Sequence, residues 1–219
     1  MPERLPLFPL SLVLFPGMLL PLHIFEHRYR LMIARAVENS EPFGVVLIKN
    51  GQEAGPTAEP HGIGTAARIV SFAPQADGRS LLIARGERRF AIEELHPDEE
   101  PYLVGSVRWL EEPEGDNAAA FAQAAADAYG QYVAAAGAVL LESGRPAPEA
   151  ITDRGAPGAL AYQIATDLAV SNPDRQRLLE LPTTSERLGH EVRLLIRETE
   201  LLQGMLVRLR AAGGRKDLN

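Results

Sequence analysis

His23-Ile-Phe-Glu-His27 has the order H-x-x-E-H, in which an inverted zinc-peptidase motif carries its ligands. Zinc needs both imidazoles about 2 Å from one ion, which residues i and i+4 achieve on one helix face. Along an extended strand the same residues stand about 13 Å apart, at ~3.3 Å per residue. Pro21 and the apolar run to Phe25 predict a strand, with a helix opening near Glu26 or His27, so no metal site is expected. Gly62-Ile-Gly-Thr-Ala-Ala67 fits the dinucleotide pattern G-x-G-x-x-A, but that chemistry needs a strand before it and a helix after it. Here the Gly/Pro-rich stretch Gly51 to Gly62 precedes it and the strand-like Ala-Arg-Ile-Val-Ser-Phe72 follows.

The carboxylates Glu93, Glu94, Asp98, Glu99 and Glu100 read as a solvated acidic loop, not an acid–base pair. The chain carries no Gly-x-x-x-x-Gly-Lys-Ser/Thr phosphate loop. Its two lysines give a Ser–Lys dyad no host, because Lys49 ends a strand and Lys216 lies in a polar tail. The absence of cysteine removes disulfides, thiol nucleophiles and Cys-zinc sites. A chain without catalytic residues, metal or other cofactor is expected. Arg85, Arg88 and Arg89 form the one basic cluster. Glu87, Glu93 and Glu94 offset it, the net charge is -7, and aromatics are sparse, which argues against nucleic acid. Trp109 and Tyr102 read as core or cross-strand partners.

With 219 residues, 46% of them hydrophobic, the chain can bury a core without staples. Residues 1–112 read as β-rich with one helix, 118–211 as helical, and 212–219 as a polar tail. The opening apolar run is long enough to span a bilayer, but Pro6, Pro9, Pro16, Pro21 and Gly17 interrupt it. It reads instead as two strands, Leu5–Phe15 and Met18–Phe25, joined at Pro16-Gly17, with the cytoplasm as the default address. Tyr29, Met32, Ile33, Ala36 and Val37 share one face of a helix from His27 to Asn39. Strands follow at Phe43–Ile48, at Ile63–Phe72 and Ser80–Arg85 around the turn dipeptide Asp77-Gly78, and at Arg89–Leu95 and Tyr102–Leu110. Gly86 suggests a bulge. Helices are expected over Ala118–Ser143, Gly158–Val170, Asp174–Leu181 and Ser185–Ala211, with Arg145 to Pro157 as a linker. Asn172-Pro173 reads as a cap with proline at the first helical position, and Thr183-x-x-Glu186 as a capping box. Leu188, Val192, Leu195, Thr199, Leu202, Leu206 and Leu209 form an a/d seam, expected to pack on its own bundle, with self-association through the last helix as the other use.

Three blocks resemble the Lon protease N-terminal domain family. They are Leu5-Pro-Leu-Phe-Pro-Leu10 through Glu26 and Arg28-Tyr-Arg-Leu-Met32; Gly64-Thr-Ala-Ala-Arg-Ile69 with Gly86-Glu-Arg-Arg-Phe90; and Gln176-Arg-Leu-Leu-Glu180 with Arg187-Leu188. His27 departs from the pattern, standing where the family usually has proline. The resemblance implies an α+β chain, a β-rich PUA-like subdomain followed by helices that end in a long one. It also implies a stand-alone recognition module without the ATPase and peptidase.

Such a module would be a non-catalytic binder of unfolded or degron-like polypeptides, an adaptor for a protease or chaperone in protein quality control. An RNA-associated PUA-like module is the alternative. Affinity would come from apolar surface and free strand edges. The expected site is the turn Phe15, Pro16, Gly17, Met18 and Leu19, with Phe15 and Met18 pointing outward.

Overall fold

A computed structural model describes residues 3–51, 59–142 and 155–213. Most of the 51–62 stretch, most of the 145–157 linker and the tail with Lys216 lie outside the described residues. The elements run β1 (Glu3–Leu10), β2 (Leu19–Ile24), α1 (His27–Asn39), β3 (Phe43–Asn50), β4 (Glu59–Pro60), β5 (Ile63–Pro74), β6 (Ser80–His96), β7 (Val104–Trp109), α2 (Ala118–Glu142), α3 (Pro157–Asp167), α4 (Asn172–Glu180) and α5 (Thr184–Gly213). The fold is α+β. Met1–Glu111 with Ala169–Glu180 makes one compact unit, and Glu112–Leu168 with Leu181–Asn219 the other.

In the first unit the strand path β1-β7-β6-β5-β3 closes on itself, because β1 also pairs with β3. β1 changes partner midway: Glu3–Pro6 runs antiparallel to β7 and Leu7–Leu10 parallel to β3. Each half therefore has a ladder partner on one side only among the described residues, apart from the Leu7 N–H to the Leu103 carbonyl at 2.7 Å, and a proline lacking an N–H is tolerated there. Leu5, Leu7, Val46, Ala66, Phe90 and Val107 form one core cluster. Its backbones approach so closely that a Cβ on Gly64 would lie 2.5 Å from the Val45 carbonyl oxygen. α1 buries Tyr29, Met32, Ile33 and Ala36, the first three in a second cluster with Phe8, Leu14, Leu20, Phe43 and Leu82, whereas Val37, expected on the same face, is 38% exposed.

The opening strands are shorter than expected. β1 ends at Leu10 and β2 begins at Leu19, so residues 11–18 leave the sheet, with Val13, Leu14 and Phe15 buried. Conversely, the stretches expected as Ser80–Arg85 and Arg89–Leu95 are one strand. The register passes from Ala66↔Arg88 to Ala67↔Gly86, and this bulge takes up the irregularity at Gly86 without breaking β6.

α4, expected among the helices, groups with the sheet. Its Asn172 Nδ2 donates to the Ser11 carbonyl at 2.7 Å and its Gln176 Nε2 to the Ile63 carbonyl at 3.1 Å. The buried Arg89 guanidinium donates to the Leu179 carbonyl at 2.6 Å, where the last carbonyls of a helix need partners. The cap also moves by one residue: Ser171 Oγ, not Asn172, accepts the Asp174 N–H at 3.3 Å.

In the second unit α2 and α5 lie side by side and parallel. Gly189 faces the Phe121 ring near their starts, and Arg210 donates to Glu142 at 2.8 Å near their ends. Thr183 Oγ1 accepts the Glu186 N–H at 3.1 Å, the first half of the capping box. Leu188 and Leu195 of the seam are buried, while Leu202, Leu206 and Leu209 are half-buried. Among the described residues no helix is long and apolar enough to cross a membrane.

Candidate functional site

The turn at Phe15–Met18 closes with the Met18 N–H donating to the Phe15 carbonyl at 3.1 Å, and Gly17 takes φ +84. It is seated on β6 by reciprocal bonds, Gly17 N–H to the Gly86 carbonyl at 2.8 Å and Gly86 N–H to the Met18 carbonyl at 2.9 Å. Thr65 donates its hydroxyl to the Leu14 carbonyl at 2.6 Å. The contact requires glycine at 86, since a Cβ there would stand 2.3 Å from the Phe15 carbonyl oxygen. Gly86→Ala is expected to destabilise the chain by about 1–3 kcal/mol, because a backbone atom must move to admit the methyl. A shift in urea midpoint at unchanged slope checks it.

This seating corrects the expected outward placement of Phe15. Phe15 is 0% exposed, with the Arg175 guanidinium 5.0 Å from its ring centroid. The phenyl ring points inward because the three main-chain bonds aim it at the core. Pro16 and Met18 are half-buried, and Met18 sulfur takes a 3.9 Å contact from Arg175. Gly17 and Leu19 are exposed, Leu19 at 51%.

Leu19 belongs to a larger apolar surface. On β2 and β6 it stands opposite Arg85, Pro21 opposite Ile83, and His23 opposite Leu81. Across β6, Ser71 and Ala73 of β5 stand opposite Ile83 and Leu81. Directly paired residues share a face, so Leu19, Pro21, Leu81, Ile83 and Ala73 form one patch across three strands. Leu81 is 48% and Ile83 39% exposed, whereas the alternating Leu20, Ile24, Leu82 and Ala84 are buried on the opposite face. The sequence reading missed Leu81 and Ile83, although Leu81-Leu-Ile-Ala84 is apolar on both faces of a strand, which leaves one face without a core to fill.

The other chemical candidates disperse. His23 lies on β2 and His27 opens α1, so they share no helix face. Among the described residues no group of three His, Cys, Asp or Glu could hold a metal ion. Ile63–Ala67 enters β5, where a nucleotide fold would begin a helix. The arginine cluster splits: Arg89 is buried, Arg88 lies 5.3 Å over the Trp109 ring, and Arg85 is exposed beside Leu19. Glu99 and Glu100 pair with Arg4 and Arg35, Glu93 with Arg108, and Lys49 with Glu59.

A family model described as the ATP-dependent protease La (LON) substrate-binding domain matches residues 4–197. The chain is 30% identical over 208 residues to "Lon protease 2" of Myxococcus xanthus, covering 92% of this chain and 24% of the relative. It is 26% identical over 208 residues to "Lon protease" of Cytophaga hutchinsonii, covering 92% of this chain and 25% of the relative. The chain thus spans about a quarter of the length of these curated relatives. A solved Lon N-terminal domain protein from Xanthomonas campestris superposes with a TM-score of 0.62 at 27% identity, covering 85% of this chain and 95% of that one.

Proposed function

Because this chain belongs to the ATP-dependent protease La (LON) substrate-binding domain family, we propose that it is a non-catalytic module that grips unfolded or degron-like polypeptides. In this reading it works in the cytoplasm and hands its clients to a protease or chaperone. The observation that carries the reading is the solvent-facing apolar patch of Leu19, Pro21, Leu81 and Ile83. An unfolded chain offers exposed apolar side chains, and burying them against this patch contributes about 25 cal/mol per Å². Each contact is small, so selectivity arises when several engage together.

Substituting Ile83→Asp and Leu81→Asp together is expected to weaken binding of a labelled, permanently unfolded polypeptide by at least about tenfold, because charge replaces two apolar contacts. Fluorescence anisotropy measures it. Both side chains point to solvent, so thermal unfolding of the double variant should match wild type. Equal affinity of the two proteins would remove the patch from the mechanism.

A further inference from the structure

A second recess lies along the other edge of β5. β3 pairs with β5 only through Thr65–Ala67, so beyond residue 67 the edge of β5 not taken by β6 has no strand partner among the described residues. There α1 runs beside it. Five consecutive residues, Arg68 to Phe72, line one cavity of about 330 Å³ together with Ala36 and Val37 of α1. Consecutive strand residues can line one recess only if its wall is the strand's edge, not one of its faces. Phe72 also lines a second cavity of about 320 Å³, toward the start of α1, with Leu31, Arg30 and Arg79. The two recesses share Phe72 as a lining residue and both border α1.

The charges around these recesses are uneven. The second cavity is lined by Arg30, Arg79 and His27 and by no carboxylate, on a chain of net charge -7. It also lies at the N-terminal end of α1, whose first turn carries no acidic residue and whose N-cap carboxylate, Glu26, is paired with Arg28 at 3.0 Å. Asp77, just outside, pairs with Arg79 at 2.9 Å and also feels the Arg30 charge, so two guanidiniums share one carboxylate there. The Arg30 guanidinium packs closely over the turn glycine Gly78, which has φ +80, where a larger residue would collide with it. In the first cavity Arg68 is paired with Glu87 at 2.7 Å and donates to the Ser40 carbonyl at 2.8 Å, and Glu41 is among the lining residues.

We propose that the two recesses together take a short extended polypeptide segment. The segment's apolar side chains would lie against Val37 and Phe72, its acidic side chain against Arg30 and Arg79, and its backbone along the free edge of β5. Strand addition of this kind takes affinity from main-chain hydrogen bonds and selectivity from the flanking pockets. The extra residue Val70, where the β5–β6 register shifts between Ile69 and Ser71, breaks the regularity of the edge. That guards it against open-ended pairing and limits the added segment to a few residues. The inference rests on the polypeptide-binding reading and adds a sequence preference that the apolar patch alone would not have.

The test is a fluorescence anisotropy titration of short labelled apolar peptides differing only in a central Glu or Lys, against wild type, Arg30→Glu, Val37→Arg and Ile83→Asp. Wild type is expected to prefer the Glu peptide by about fivefold, the scale of one exposed ion pair. Arg30→Glu should reverse that preference, a gain for the Lys peptide that a misfolded protein cannot give. Val37→Arg should weaken both peptides, as should N-methylation of alternate peptide amides, which removes backbone donors. If Arg30→Glu leaves the preference unchanged while Ile83→Asp abolishes binding, the recesses are not the site and the patch reading stands. If wild type binds neither peptide nor a longer unfolded chain, both readings fall.

Discussion

Phe15→Ala is expected to lower unfolding free energy by about 3–5 kcal/mol, the range for truncating a fully enclosed aromatic. The upper half of that range applies, because the walls around the ring cannot relax inward. The main chain on either side is pinned by the Gly17–Gly86, Gly86–Met18 and Thr65–Leu14 bonds, so the space left by the ring stays open. The Arg175 guanidinium, 5.0 Å from the ring centroid, would also lose its aromatic face. Leu19→Ala, four residues along and exposed, should change stability by no more than about 0.5 kcal/mol. Urea unfolding of the two variants side by side measures the contrast, and a Phe15→Ala loss below about 1 kcal/mol would contradict the enclosed ring. An aspartate at Phe15 would therefore report on folding rather than on client capture. Binding is better probed on the Leu81–Ile83 side of the patch.

What could be read in the sequence follows from where physical signals are local. α1 was legible because its buried face repeats at helical period over His27–Asn39, and Asp77-Gly78 marked the β5–β6 hairpin because a tight turn restricts residue type. Thr183 capped its helix as its spacing to Glu186 predicts. Phe15 was not legible. An apolar residue beside Pro-Gly looks the same whether the turn points out or folds back, and the Gly86 contact that decides it lies far along the chain. The place of α4 was hidden for the same reason. Asn172 and Gln176 look like surface polar residues of a helical segment, yet their amides are spent on the carbonyls of Ser11 and Ile63. Arg89 read as part of a basic cluster, because a buried guanidinium satisfied by carbonyls cannot be told from an exposed one by composition. The apolar patch was half legible: Leu19 stood in the expected site, but Leu81 and Ile83 became surface only once β2 was seen to pair with β6.

Glu191→Gln is expected to stabilise the chain, and to do so only above acid pH. Glu191 sits on the buried face of α5 between Leu188 and Leu195, is 0% exposed, and neither carboxyl oxygen finds a hydrogen-bond partner among the described residues. Burial pushes its carboxyl well above the usual carboxylate range, and the positive Arg187 one turn earlier offsets this only in part. The Arg187 guanidinium is turned elsewhere, donating to the Leu181 carbonyl at 2.9 Å, stacking 4.4 Å over the Tyr162 ring, and standing 3.7 Å from Glu112. A carboxyl whose folded pKa is raised holds a proton that the unfolded chain releases. Its contribution is therefore most favourable below the ordinary value of 4.5 and declines as pH rises from there toward the folded value. Glutamine keeps the shape of the protonated acid and has no proton to lose. The two proteins should match near pH 4, and the variant should be more stable by about 1–3 kcal/mol at pH 7, the scale of leaving a polar group buried without compensation. Unfolding curves across that interval give the answer, and parallel pH profiles would mean that Glu191 is solvated or paired in solution. The sequence placed this residue beside the a/d seam without marking it. A carboxylate one position off an apolar stripe looks like a solvent-facing flank until α2 is seen running parallel to α5.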